Sequence, residues 1–168
     1  MAKRIGKHAG ISKREQALSL SDGGNITGTL SSTGAATFSA GLTISAGGLT
    51  VNGGRIIEQL TVTDNDAQHN TMAHGEITGG IVVHTSATGA GNVTTDTATN
   101  IINNCGLDAN GKCIKVYYVN DGGEELTIVG GTGVTVADNG QTIAANESAI
   151  LLFRRTGASA VTLYTIGA

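Results

Sequence analysis

The pattern that decides the predicted fold lies in the last third of the chain. It consists of residues Ile114 to Val119 (Ile-Lys-Val-Tyr-Tyr-Val), the polar stretch Asn120 to Gly123 (Asn-Asp-Gly-Gly), and Glu125 to Val129 (Glu-Leu-Thr-Ile-Val). Apolar and polar residues alternate in the last of these runs, as they do in a β-strand with one buried face. Asn, Asp and Gly between two apolar runs are typical of a turn. The stretch therefore predicts two strands joined by a turn.

Strand signals continue on both sides of this stretch. Toward the C-terminus they cover 134–136, 141–143, 148–153 and 160–166, and the segment 148–153 is apolar on both faces, which predicts a central strand. Toward the N-terminus, 55–62 has strand character, 76–84 predicts a hairpin or bulged strand around a Gly pair, and 85–100 predicts a long loop or weak edge strands. Short strands with small polar turns between them indicate an antiparallel arrangement. We therefore expect an all-β protein whose residues 55–168 form an antiparallel β-sandwich or jelly-roll-like body.

Residues 41–54 read as two consecutive seven-residue units, Gly41 to Gly47 and Gly48 to Gly54. Each unit is an apolar-Thr-apolar strand closed by small residues, so that its two aliphatic side chains share one face. Strands this short become stable only when stacked on neighbours or on other chains. We predict that residues 25–54 form a trimerising β-repeat stem, although a flexible Gly/Ser linker is the alternative. The predicted trimer interface consists of Leu42, Ile44, Leu49 and Val51.

The first 24 residues form a basic arm. Residues 1–20 carry a net charge of +4 and the rest of the chain carries −7. A basic arm on an acidic body indicates docking on a negative surface, whereas a solvated terminus is the alternative reading. The residues predicted to anchor the arm to a capsid are Lys3, Arg4, Lys7, Lys13 and Arg14. No aromatic residues are interleaved with them, so nucleic acid is not an expected partner.

Composition points to assembly and places limits on the setting. The 168 residues include 26 Gly, three Tyr and two Phe, with no Trp and no Pro. Because large core-forming side chains are scarce, oligomerisation is the expected route to stability. The basic start is not followed by an apolar signal region, and no apolar run is long enough to span a membrane. We expect synthesis in a host cytoplasm, without a signal peptide or a membrane partner.

Candidate chemistry is sparse, and we predict no catalytic, cofactor-binding or metal-ligating residues. His69 and His74 follow Asp64 and Asp66, but a His-x4-His spacing in a loop is not typical of zinc sites, so loop or interface roles are favoured over a metal. Glycine-rich stretches lack the lysine and the strand–helix context of a phosphate-binding loop.

The remaining polar signals are interpreted as local structure. Cys105 and Cys113 flank a predicted turn, which allows them to face each other across a hairpin; a reduced pair is expected in a cytoplasm, and a disulfide that forms later, in a released particle, is the alternative. Residues 108–111 are read as a turn, since a calcium loop would need an acidic residue where Val119 stands. Arg154 and Arg155 follow an apolar strand and are expected to place one guanidinium on each face, as an interface ion pair or a solvated strand end.

Two parts of the chain resemble virion structural proteins of tailed bacteriophages. They are the Gly/Ser/Thr repeat of residues 25–54 and the C-terminal segments 126–129, 149–157 and 161–166. The resemblance is to head decoration proteins, also called cement or head-fibre proteins, and to short tail-fibre modules. It implies a homotrimer that docks one terminus on the particle and points a β-rich body outward.

The expected function is therefore that of a capsid decoration protein, not an enzyme. It would bind the major capsid protein on the outside of a phage head and stabilise the shell, so the expected location is the virion. The alternative is a tail-fibre or receptor-binding subunit whose exposed loops, 63–75 and 85–100, contact a host surface receptor. A third hypothesis, a small polysaccharide-acting enzyme, requires clustered carboxylates in a groove, and no spacing in the sequence singles out such a pair.

Overall fold

The computed structural model describes residues 58–85, 88–137 and 141–167, together with the single positions 37, 49 and 51. The chain divides into two units, Met1–Gly53 and Gly54–Ala168, and every described helix and strand belongs to the second. The predicted basic arm and almost all of the predicted stem lie outside the described residues.

The second unit contains two helices, a six-stranded sheet with the order β1-β3-β5-β9-β10-β7 and a four-stranded sheet with the order β2-β4-β6-β8. We call these the larger and the smaller sheet. The elements are β1 (Thr61–Asn65), β2 (His69–Met72), α1 (His74–Gly79), β3 (Gly80–His84), β4 (Gly91–Thr95), α2 (Ala98–Asn104), β5 (Cys113–Asn120), β6 (Leu126–Val129), β7 (Val134–Val136), β8 (Thr142–Ile143), β9 (Ser148–Gly157) and β10 (Ala160–Ile166).

This architecture is mixed α/β, so the predicted all-β antiparallel sandwich is wrong. The strands β1, β3 and β5 pair in parallel in the larger sheet, and β2, β4 and β6 pair in parallel in the smaller one. A further parallel pair joins β7 and β10, whereas β8, β9 and β10 add antiparallel pairs. Most of the pairing is therefore parallel, with helices interleaved along the chain.

Successive strands alternate between the two sheets, and this alternation explains the error. The chain runs from β1 to β2, passes through α1, and returns beside β1 as β3; it repeats the same path through β4, α2 and β5. The polar turn at 120–123 exists as predicted, but it leads from the larger sheet to the smaller one. Asn120 supports this crossing, because its buried side-chain amide donates to the carbonyl oxygens of Glu124 at 2.8 Å, Ile143 at 3.1 Å and Ala144 at 2.9 Å. Such a turn uses the same residue types as a hairpin.

The helix α1 replaces the first half of the hairpin predicted at 76–84. The carboxylate of Glu76 accepts hydrogen bonds from the backbone N–H of Ala73 at 2.5 Å and from the side-chain amide of Asn65 at 2.6 Å, which fixes the first turn. Gly80 then ends the helix with a φ of 90°, a conformation that glycine adopts without steric cost. The Gly pair at 79–80 is thus a helix end and not a turn between strands.

The segment 85–100, predicted as a long loop or weak edge strands, contains β4, an inner strand of the smaller sheet, and the start of α2; β1, β2 and the start of α1 lie in 63–75. Thr97 caps α2, and its hydroxyl oxygen accepts from the backbone N–H of Asn100 at 3.2 Å. The helix buries Ala98, Ile101 and Ile102. Both segments therefore contain regular helix and strand, and are not loops over their whole length.

The apolar core receives side chains from both sheets and both helices. Its members from the larger sheet include Tyr118, Leu151 and Phe153, and those from the smaller sheet include Met72 and Ile128. The strand β9 lies between β5 and β10, so its predicted central position is confirmed. In the described part of the chain, no helix is long and apolar enough to cross a membrane.

Candidate functional site

The outer face of the larger sheet, on the side away from the core, carries an unbroken row of apolar side chains. Residues in register on neighbouring strands point to the same side of a sheet, so the pairing of the strands defines the row. The row crosses five strands through Val62, Ile81, Tyr117, Ile150 and Ile166. Val62 is 59% exposed and Ile166 is 52% exposed, while the three residues between them are partly exposed.

Two further rows extend this surface along the strands. Val83 pairs with Val119 on one side of the first row, and Leu152 pairs with Tyr164 on the other; all four are partly exposed. We call the whole surface the apolar face. It consists of Val62, Ile81, Val83, Tyr117, Val119, Ile150, Leu152, Tyr164 and Ile166. Its nine positions, with strands about 4.8 Å apart and successive outward residues about 6.8 Å apart along a strand, give it an area on the order of 300 Å².

Charged side chains lie at the margins of the apolar face. Asp64 stands on the edge strand, and Arg154 lies on the outer side of β9 near its end. Lys115 forms an ion pair with Glu58 at 3.8 Å and donates a hydrogen bond to the hydroxyl of Tyr117 at 2.9 Å. The centre of the face is therefore uncharged.

The smaller sheet has an outer face of the opposite character. One row across its four strands consists of His69, Asn92, Thr127 and Thr142, and the next runs from Thr71 through Thr94 to Val129. These side chains are exposed or partly exposed, and all but one are polar. The smaller sheet is built to face water.

A cluster of polar groups joins the starts of the two helices. The carboxylate of Asp96 accepts from the backbone N–H of His74 at 3.1 Å, from the backbone N–H of Thr97 at 2.7 Å and from the side-chain amide of Asn100 at 2.8 Å; it also lies 2.9 Å from the His74 ring. Burial alone would raise the pKa of Asp96, but these hydrogen bonds lower it to about 2. The ionised carboxylate therefore fastens α1 to α2.

Cys105 lies next to this cluster, so a thiol, an imidazole and a carboxylate come together in the fold. The thiol contacts the backbone carbonyl of His74 at 3.6 Å. Burial, with a smaller effect from the charge of Asp96, raises the pKa of Cys105 to about 11, which keeps the thiol protonated near neutral pH. The thiol contact joins the end of α2 to the start of α1.

His84 is fully buried between the sheets. Its Nδ1 lies 3.3 Å from the hydroxyl of Tyr118, and no group in the described chain hydrogen-bonds to its Nε2. Burial lowers the pKa of His84, partly offset by the charge of Asp64. The imidazole is therefore held neutral as part of the core.

The histidine and cysteine pairs proposed from the sequence are not brought together. His69 accepts a hydrogen bond from the backbone N–H of Asn92 at 3.1 Å, whereas His74 faces Asp96. Among the described residues, no group of three His, Cys, Asp or Glu side chains is placed to hold a metal ion. The expected hairpin between the cysteines is wrong, since Cys105 is buried at the end of α2 and Cys113 is exposed on β5; both thiols are free.

The two arginines and the turn at 108–111 are ordinary structural features. Arg155 donates to the carbonyl oxygens of Gly157 and Leu107, each at 2.9 Å, while the side chain of Arg154 is exposed on the outer face. Asp108 forms an ion pair with Lys112.

The predicted anchoring and trimer residues remain predictions. Lys3, Arg4, Lys7, Lys13 and Arg14 lie outside the described residues, as do Leu42 and Ile44. Leu49 and Val51 are described, and they are 63% and 43% exposed.

The apolar face was not identified from the sequence, although a signal for it was present. The segment 148–153 is apolar on both sides, and this was attributed only to a central position in a sheet. Comparison of the chain with protein-family models, with curated proteins and with solved structures gives no match.

Proposed function

We propose that the chain is a structural protein of a phage particle, which binds the outside of the capsid as a homotrimer and stabilises the shell. The apolar face is the observation that carries this proposal. Exposed aliphatic and aromatic side chains extend over five strands, and the largest contiguous apolar patch of a soluble protein, typically about 300–600 Å², is often functional, which supports a role in contact with protein. The proposed activity is therefore binding.

The capsid enters the proposal through the sequence. The resemblance of residues 25–54 and of the C-terminal strands to head decoration proteins indicates the kind of particle, and the basic arm supplies charges that suit an acidic docking surface. A protein that binds the assembled shell but not its free subunits shifts the equilibrium toward the shell. Decoration would thus raise the resistance of the capsid to disassembly.

Co-sedimentation with empty capsids of the phage that encodes the chain tests this function. The full-length protein should sediment with the capsids and raise the temperature at which they disassemble. Deletion of residues 2–20, or replacement of the five basic arm residues by Ala, should abolish co-sedimentation while the oligomer persists. Lys112→Ala serves as the matched control, because it removes one positive charge from the body and should leave binding intact.

Two results would contradict the proposal. Failure of the full-length protein to bind capsids would remove the decoration role. Binding to host cells in place of capsids would favour the alternative, a tail-fibre or receptor-binding subunit.

A further inference from the structure

We infer that the apolar face is covered by other copies of this same chain. The inference rests on the proposed function for the stoichiometry of three, but the choice of surface and of occupant comes from the face itself. When three copies turn the same face toward a common threefold axis, residues near that axis meet their own copies, so that a net charge at the centre of the face would repel itself. The row from Val62 to Ile166 contains no charged residue.

The distribution of charge over the rest of the body favours a homomeric contact. From residue 58 onward the sequence contains eleven acidic residues and only four basic ones. Of the acidic residues that the structure describes, Asp64 and Glu58 are the ones at the margin of the apolar face, and Lys115 and Arg154 stand at the same margin. Identical acidic bodies repel each other over most of their surface, and the apolar face is where that repulsion is weakest.

A basic foreign partner would be drawn elsewhere. Its positive charges would be attracted to the acidic surface of the body more strongly than to the apolar face, where the acidic and basic residues at the margin balance. Opposite charges steer the first encounter between two proteins. An acidic partner would be repelled by the acidic body as a second copy is, and would have no stronger attraction to the apolar face than a second copy has.

The size of the face fits an interface between copies. An area on the order of 300 Å² supplies the apolar centre of the roughly 800 Å² that each partner buries in a standard protein interface, and the polar margin supplies the rim. The composition also fits, since aliphatic and tyrosine side chains are characteristic of interface centres and lysine and acidic residues are depleted there.

Light scattering coupled to size-exclusion chromatography tests the inference on the full chain. Ile150→Lys places a charge at the centre of the apolar face, on a strand with neighbours on both sides. Thr127→Lys places the same charge at an outward, partly exposed position on an inner strand of the smaller sheet. We expect the unmodified chain and Thr127→Lys to share the mass of the oligomer, and Ile150→Lys to show a threefold fall to the 16.8 kDa of one chain.

A second variant separates loss of assembly from loss of folding. Ile166→Asp lies near the chain end at a position already 52% exposed, so it should keep the far-ultraviolet circular dichroism of the parent while it dissociates the oligomer. If Ile166→Asp is folded and both it and Ile150→Lys keep the mass of the oligomer, the inference is overturned.

Cys113 provides a native reporter of the same surface. It is the exposed one of the two cysteines, and it lies on the outer side of β5 in register with Arg154 at the margin of the apolar face. Its reaction with a maleimide should be slower in the unmodified protein than in Ile150→Lys. Equal rates in the two proteins would count against burial of this face.

The outcomes distinguish this inference from the proposed function. An unmodified chain that is monomeric at tens of micromolar overturns the inference, whether or not it binds capsids. An oligomer that resists both apolar-face variants and still binds capsids overturns the inference alone. An oligomer that dissociates in both variants but never binds capsids supports the inference and removes the decoration role.

Discussion

The two sheets of this protein present opposite surfaces to the outside. The smaller sheet places Thr, Asn and His on its outer face, whereas the larger sheet places Val, Ile, Leu and Tyr there. Thr and Val have similar preferences for strands, so β-propensity does not account for the difference. The same chain therefore builds one polar outer face and one apolar outer face.

The comparison also identifies where each face obtains its stability. A polar face is stable in contact with water. Covering an apolar face stabilises the protein by about 25 cal/mol for each Å² of apolar surface removed from water. The stability of the folded unit should therefore depend on protein concentration through the outer face of the larger sheet, and not through that of the smaller sheet.

The largest expected effect separates the inner side of the larger sheet from its outer side. Phe153 and Leu152 are neighbours on β9 that point to opposite sides; Phe153 is fully buried in the core and Leu152 lies on the apolar face. Phe153→Ala should lower the free energy of unfolding by about 3–5 kcal/mol at any protein concentration. Urea denaturation at high and low protein concentration measures this change.

Leu152→Ala provides the matched comparison on the same strand. In dilute solution, where copies are apart, it should cost less than about 1 kcal/mol, and the cost should grow as concentration rises. A loss as large as that of Phe153→Ala at high dilution would mean that a single chain already covers the apolar face.

A smaller effect, independent of both faces, is expected at the helix starts. The folded state keeps Asp96 ionised down to a pKa of about 2, whereas the unfolded chain takes up the proton near 3.8. Stability from this group is thus present above pH 3.8 and is lost as the pH falls toward 2, by about 2 kcal/mol in total. Asp96→Asn should remove that contribution near neutral pH and flatten the pH dependence between these limits.

Urea denaturation at pH 5 and at pH 2.5 measures the difference. Asp108→Asn is the control, because its ion pair with Lys112 is exposed and contributes little in salt. An unchanged acid response in Asp96→Asn would show that other carboxylates carry it.

The smallest expected effect concerns the polar face. Thr94→Val changes one outward hydroxyl to a methyl group at a partly exposed position of β4. The free energy of unfolding should stay within about 0.5 kcal/mol of the parent, and the oligomer should keep its mass. A clear shift in mass would show that the smaller sheet also takes part in assembly.

The sequence predicted strands better than it predicted their partners. In the last third of the chain, strands lie where the alternation of apolar and polar residues predicts them, from β5 at 113–120 to β10 at 160–166. Their pairing could not be read in the same way, because a turn such as 120–123 suits both a hairpin and a crossing between two sheets. Only the tertiary contacts of Asn120 reveal which one forms.

The helices were missed for different physical reasons. The helix α1 has only six residues, and two of them are glycines. Six residues are too few to show a helical period in the sequence. The helix α2 did carry a signal, since Ala98, Ile101, Ile102 and Cys105 follow the spacing of one helix face after the capping Thr97. The Thr, Ala and Asn content of that region, which is typical of loops, obscures the spacing.

The candidate site was partly within reach of the sequence. In the segment 148–153 apolar residues stand at odd and even positions alike, and Tyr117 and Tyr118 are adjacent. Each pattern indicates a strand with two apolar sides. Whether the second side meets another layer or the outside depends on which strands lie next to it, and that requires the sheet order. The opposite ends of the row, Val62 and Ile166, come from strands about a hundred residues apart.

The alternation of strands between sheets also has a consequence for how the chain acquires its fold. Among the described strands, β9 and β10 are the only consecutive pair that hydrogen-bond to each other. Every other described strand pairs only with strands that are not next to it along the chain, and long-range pairing of this kind slows folding. We expect the hairpin of β9 and β10 to form first, with β5 docking on it.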